Sequence, residues 1–226
     1  MTLSDLSRAA GLHKTTTQRL LLVLEACGFV DKVRGHYQVG LAVVPLARAY
    51  LGGNSLSRAG QAVLEDLAAS FGETTSLFVR QGYDRVVIQR INSTHPLRYS
   101  LPIGQRLPLY AGASGRVLAA AMTDEDLAQY LDQIGEVRFL NGKVLSPRDM
   151  EDLILQARRD GFAISIEERS QGVISIAVPV VVPGRGTVAA LNIGGPISRL
   201  PEDKVRSMIE DVRLGADELV RAYGRM

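Results

Sequence analysis

The sequence predicts an α+β protein in two parts, a small helical N-terminal domain closed by a β-hairpin and a larger domain built on an antiparallel sheet. Three observations predict it. Residues 1–40 hold two short helical patterns divided by a glycine, then two short strand-like runs. Residues 41–53 form a mixed apolar segment ending in Gly52-Gly53-Asn54. From residue 74 onward, runs of β-branched and apolar residues are joined by tight turns, with helical segments set beside them. At 226 residues the chain is long enough to bury two cores.

The first element, LSDLSRAA at 3–10, puts Leu3, Leu6 and Ala10 on one face and breaks at Gly11. From Lys14 the helical wheel then places Thr17, Leu20, Leu21, Leu24 and Cys27 along one stripe, while Thr15, Gln18, Arg19 and Leu22 point the other way. Gly28 ends that helix. FVDKV and HYQVG read as strands joined by the turn Val33-Arg34-Gly35-His36. Helix, glycine-bearing turn, helix and hairpin is the order of a winged helix-turn-helix. The aliphatic stripe is expected to dock the second helix on its own domain. The opposite face offers hydroxyls, an amide and a guanidinium to a major groove, where Arg19 can reach a guanine edge or a phosphate. Taken alone, this helix reads equally well as amphipathic with a solvated polar face; the basic hairpin tip favours DNA. Charge agrees, because residues 1–40 carry five basic against three acidic side chains and the remainder carries 21 of each.

LAVVPLARAYLGG, 41–53, reads as a linker helix, with the domain boundary near 53. A helix is predicted over 57–71. TTSLFVR, RVVIQRI and LRYSLPI follow as three strands, the first two joined by the turn QGYD. Thr123-Asp124-Glu125-Asp126 has capping-box spacing with Asp in place of Glu, and Ser146-Pro147 is an N-cap with a first-turn proline, so two more helices start there. Gly161 closes the second. VISIAVPVVV, the turn PGRG and TVAALNIGG form a long hairpin, and PEDKVRSMIEDVRLGADELVRAY a terminal amphipathic helix.

Several chemistries are disfavoured. No apolar run approaches the ~20 residues of a membrane helix, and the start MTLSDLSRAAG lacks a basic stretch followed by an apolar one, so a soluble, unsecreted protein is expected. The lone Cys27 fits a reducing cytoplasm. His13, His36 and His95 lie far apart and there is no paired-cysteine motif, so neither a metal nor a cofactor is expected. Gly112-Ala113-Ser114-Gly115 resembles a nucleophile elbow, but that motif needs glycine where Arg116 stands. Glu167-Glu168 reads as a solvated loop rather than an acid/base pair, so no catalytic residue is assigned and no enzyme is expected. AGASGRVLAAAM joins a small-residue turn to a helix whose first amides, with the Ser114 hydroxyl, suit a carboxylate or phosphate; a tight packing turn is an equal reading.

Three blocks in order, HKTTTQRLLLVLEACGFV with HYQVG, GQRLPLYAGASGRVLAA, and DGFAISIEERSQGVISIAVPV with ALNIGGP, resemble the IclR-type bacterial transcriptional regulators over nearly the whole chain. The resemblance implies a winged helix-turn-helix at 1–40, a dimerising linker helix at 41–53 and a GAF-like effector domain at 54–226. It implies a homodimer or dimer of dimers on double-stranded promoter DNA, answering to a small organic or aromatic acid. By position, DNA would meet Lys14, Thr15, Thr16, Gln18 and Arg19, with Arg34 and His36 at the wing. Tyr99, Leu107, Ala113, Ser114 and Ser165, with Val173, Ser175, Asn192 and Gly194, would line the effector pocket. Family members carry a further helix ahead of the position of Met1, so either the sequence starts late or the winged domain is abbreviated by that first family helix.

Overall fold

The computed structural model describes residues 1–53 and 55–225; Asn54, the last residue of the Gly-Gly-Asn boundary, and Met226 lie outside the described residues. The chain divides into two compact units, Met1–Asn54 and Ser55–Met226.

In the first unit, α1 (Leu3–Ala10) starts in a reciprocal capping box: the Asp5 amide donates to the Thr2 hydroxyl and the Thr2 amide to the Asp5 carboxylate, at 3.3 and 3.0 Å. It ends at Gly11 in the left-handed region. There the chain turns sharply, with the Leu12 amide donating to the Ser7 carbonyl at 3.1 Å and the Ser7 hydroxyl to the Leu12 carbonyl at 2.5 Å. α2 (Lys14–Ala26) follows, then the hairpin of β1 (Val30–Val33) and β2 (His36–Val39), and α3 (Val43–Gly53). Val33 pairs with His36, so the hairpin loop is Arg34-Gly35 alone, both at positive φ, the geometry that matches strand twist.

The α2 stripe is narrower than the wheel implies. Thr17 and Leu21 are buried, whereas Leu20 and Leu24 are 51% and 40% exposed and Cys27 is also exposed. Within this unit α2 packs on α1 and β1, two short elements that cover only the Thr17–Leu21 edge.

The second unit is a six-stranded antiparallel sheet between two helical layers. Its elements in order are α4 (Ser55–Phe71), β3 (Thr74–Gln81), β4 (Asp84–Ile91), β5 (Arg106–Pro108), α5 (Ala113–Ala119), α6 (Asp124–Ile134), a small hairpin of β6 (Val137–Arg138) and β7 (Val144–Leu145), α7 (Pro147–Asp160), β8 (Ala163–Ile166), β9 (Val173–Val182), β10 (Gly186–Pro196), α8 (Glu202–Ser207) and α9 (Ile209–Tyr223). The sheet order is β5-β4-β3-β10-β9-β8. Strand alternation sends neighbours to opposite cores: Leu77, Ile88, Ile176 and Leu191 pack on the α4 and α9 side, and Phe78, Val87, Ala177 and Ala190 on the α5–α7 side. Burial on both faces is why VISIAVPVVV reads as a continuous apolar run.

Three readings need correction. LRYSLPI is not a strand: residues 92–105 cross the unit without a ladder, because Pro96 and Pro102 remove donors, and pairing resumes only at β5. The terminal helix is two, α8 and α9, joined at Met208. Thr123 caps α6 by accepting from the Asp126 amide at 3.1 Å, without the reciprocal bond that Ser146 and Asp149 do make at α7. The strand at 163–166 and the small hairpin were invisible as separate elements in the sequence.

Leu191 is fully buried at the centre of β10. Leu191→Ala should lower unfolding free energy by about 2–5 kcal/mol, read from denaturant midpoints, through lost transfer energy and the cavity left behind.

Candidate functional site

Two surfaces gather the predicted residues. On the first unit, Lys14, Thr15, Thr16, Gln18 and Arg19 are all exposed, as are Arg34 and His36 at the hairpin tip. The buried residue among them is Thr17, whose hydroxyl donates to the His13 carbonyl at 3.1 Å, one turn back. The first turn of α2 holds no acidic side chain and its N-cap makes no side-chain bond. An anion approaching its leading amides would therefore meet no carboxylate from that turn.

In the second unit a cavity opens between the sheet, the start of α5 and the turn after β8, with free volume of about 30 Å³. Tyr99, Ala113, Ser114 and Ser165 line it, together with Val173, Ser175 and Asn192. Strand register explains part of the meeting. Ser165 pairs with Ser175 across β8 and β9, and Asn192, Ser76 and Arg90 stand abreast across β10, β3 and β4. Two predicted wall residues fall outside the lining. Leu107 is buried in the core beneath α5, facing Arg85 across the β4–β5 ladder. Gly194 pairs with Ser175, and a Cβ placed on it would lie 3.3 Å from that serine's Cβ. It backs the wall.

What sequence reasoning missed is the charge. Arg85, Glu168 and Arg169 also line the cavity. Glu168 is buried, correcting its reading as a solvated loop residue: its carboxylate accepts from the Arg116 guanidinium and, at 2.7 Å, from the Gly112 amide. Arg116 also donates to the Ile164 carbonyl and does not itself line the cavity. The Gly112 amide is thus already satisfied by the protein's own carboxylate, and a ligand cannot use it. Gly112 and Gly115 have a different role. A Cβ at Gly115 would stand 2.1 Å from the Leu109 carbonyl oxygen and 2.4 Å from Arg85 Nη1, and one at Gly112 would stand 2.7 Å from Arg85 Nη2. These glycines leave room for a buried guanidinium.

Arg85 reaches that room from β4 and is 3% exposed, donating to the Pro108 carbonyl at 2.6 Å while its Nε has no partner. Burial first, then the nearby Arg169, push its pKa down to about 9, so at neutral pH it is still a cation. Burial and Arg169 likewise lower Arg90 to about 10; its Nε donates to the Ser76 hydroxyl at 3.1 Å. Arg169, lowered by burial, donates to the Tyr99 hydroxyl, and both Arg90 and Arg169 lie over the Tyr99 ring, at 5.7 and 5.5 Å from its centroid. Among the described residues, no carboxylate forms an ion pair with Arg85, Arg90 or Arg169. The signal for Arg85 and Arg90 in the sequence was two arginines inside a largely apolar strand, and Arg169 had none.

The described residues hold no cluster of histidine, cysteine and acidic side chains fit for a metal ion, and no helix long and apolar enough to cross a membrane. Comparison with known proteins places the chain among regulators. Residues 48–221 match the family described as bacterial transcriptional regulator IclR, C-terminal, and residues 1–34 the IclR helix-turn-helix domain. The transcriptional repressor IclR of Escherichia coli is 30% identical over 99% of this chain and 83% of its own length. The repressor AllR of the same organism is 33% identical over 98% and 82%. Two solved structures share the fold: an IclR regulator from Alicyclobacillus acidocaldarius, at 23% identity, 99% and 90% coverage and TM-score 0.83, and an IclR homologue from Microbacterium hydrocarbonoxydans complexed with 4-hydroxybenzoate, at 23%, 100% and 92%, and 0.80.

The Arg116–Glu168 pair is buried on both sides. Glu168→Ala should cost about 3–5 kcal/mol by stranding the Arg116 charge, whereas Arg116→Met with Glu168→Leu should recover much of that. Equilibrium unfolding of the three variants checks both expectations.

Proposed function

The chain belongs to the IclR family of bacterial transcriptional regulators, and from that premise we propose that its first unit reads promoter DNA while the cavity of its second unit binds a small organic carboxylate that adjusts this reading. The observation that carries the effector half is the buried Arg85, a cation with a vacant Nε donor and no ion-pair partner among the described residues. An unpaired buried charge is costly, and a carboxylate matches a guanidinium fork in shape and charge. The acid is held by guanidiniums and the hydroxyls of Ser114 and Ser175, and not by the Gly112 amide at the α5 N-cap, which Glu168 occupies.

On the DNA side, α2 enters the major groove with Lys14, Thr15, Thr16, Gln18 and Arg19, and Arg34 and His36 follow the backbone from the wing. One such helix covers too little duplex for specific binding, so the working form is a homodimer presenting two helices about 34 Å apart, or a multiple of that, with a dimer of dimers as a larger assembly. Exposed apolar side chains on and before α3, Leu41, Val44, Leu46 and Tyr50, support the linker segment as a subunit contact. The role asks for binding and release and for no chemical step, so the protein acts as a sensor, working in the cytoplasm where promoter DNA is.

Arg19→Ala should weaken operator binding by about 1–3 kcal/mol if Arg19 reads a base, or flatten the salt dependence by about one unit if it holds a phosphate. Gel-shift titrations at several salt concentrations measure both, and a variant unchanged in affinity and slope would take Arg19 out of the interface. Ser114 is buried at the cavity wall. Ser114→Leu should bind operator as the unmodified protein does and fail to respond to the acid, because an effector acts only through differential affinity for two states.

A further inference from the structure

Resting on the reading of the cavity as a carboxylate site, we propose that its ligand is a compact dicarboxylate, one carboxylate held by Arg85 at the inner end and the other by Arg169 beside Tyr99.

Charge balance drives the argument. Four guanidiniums, those of Arg85, Arg90, Arg116 and Arg169, cluster at the cavity or one residue behind it, and Glu168 is the one carboxylate among them. Glu168 is already engaged: one oxygen accepts from Arg116 and the other from the Gly112 amide. Arg85 feels the nearby Glu168 charge, but Arg85, Arg90 and Arg169 have no ion-pair partner of their own among the described residues. Burial lowers the pKa of Arg85 and Arg90 most, and the nearby Arg169 lowers both further, while Glu168 offsets part of this at Arg85. Clustered like charges are destabilising unless anions enter.

The three are not equivalent. Arg90 is spoken for by neutral acceptors, the Ser76 hydroxyl and the Leu101 carbonyl, which fix it against the sheet. Arg85 keeps an unpartnered Nε. Arg169 is the most loosely committed: its one hydrogen bond goes to the neutral Tyr99 hydroxyl, which a carboxylate displaces readily because charge-assisted bonds are stronger. A monocarboxylate carries a single negative charge and so compensates only one of the two available cations. A diacid pairs both and brings the cluster near balance. The cavity is tight, so Tyr99 and Arg169 give way as the ligand enters. Tyr99 can do so because residues 92–105 belong to no strand.

The test is titration calorimetry on the full chain with matched acids, butyrate against succinate, valerate against glutarate and benzoate against phthalate, with inorganic phosphate as a compact multivalent anion. The expected result is that at least one diacid binds roughly 10- to 100-fold more tightly than its monoacid, the gain from a second set of charge-assisted hydrogen bonds. Arg169→Gln should erase that preference while monoacid binding persists, and Arg85→Lys, which keeps the charge and loses the fork, should weaken both classes. Equal binding of monoacids and diacids throughout the panel would overturn the dicarboxylate inference and leave the carboxylate site standing. Phosphate binding as tightly as the best diacid would also overturn it, since charge density would then outweigh the placing of two carboxylates. Binding by neither acid class would overturn both readings.

Discussion

The contact on which the second unit's site depends is the buried ion pair of Arg116 with Glu168. It ties the start of α5 to the turn after β8, and these are two of the cavity's walls. Taking both groups out of water is expensive, and the pair persists because its hydrogen bonds are filled: the Gly112 amide completes the carboxylate and the Ile164 carbonyl the guanidinium. With that carboxylate bonded to Arg116, the other three arginines, Arg85, Arg90 and Arg169, have no ion pair of their own among the described residues. Rigidity of the walls and electropositivity of the interior therefore have a common origin.

Much of the fold was legible because it is local. The Arg34-Gly35 turn, the Ser146-Pro147 helix start and the PGRG turn are set by residues adjacent in the chain, and local chemistry specifies such geometry without tertiary help. LRYSLPI shows the opposite case. Its composition suits a strand, but Pro102 within it and Pro96 before it deny the ladder, and Tyr99 serves the cavity beneath two guanidiniums.

The site was legible in its hydroxyls and amide and illegible in its charges. Ser114, Ser165, Ser175 and Asn192 sit in blocks whose order is distinctive, and they do line one cavity. Arg85 and Arg90 sit in a strand where an arginine ordinarily marks the solvent side. Which side is wet depends on where α5–α7 lie, and that is decided by contacts distant in sequence. Glu168 was hidden likewise, since a pair of adjacent acids looks the same in sequence whether it faces water or an arginine 52 residues away. The α2 stripe failed for a related reason: a wheel gives the facing of side chains but not the width of the neighbour that covers them.

The turn before α5 separates two kinds of inheritance. Gly115 is forced by the Leu109 carbonyl and Gly112 by its backbone angle, whatever occupies position 85. An arginine at 85 requires those glycines, but the glycines do not require the arginine. Descendants of this scaffold can thus exchange the strand residue without rebuilding the turn. The turn is fixed by backbone geometry, and the charge at position 85 is a separate choice that it merely accommodates.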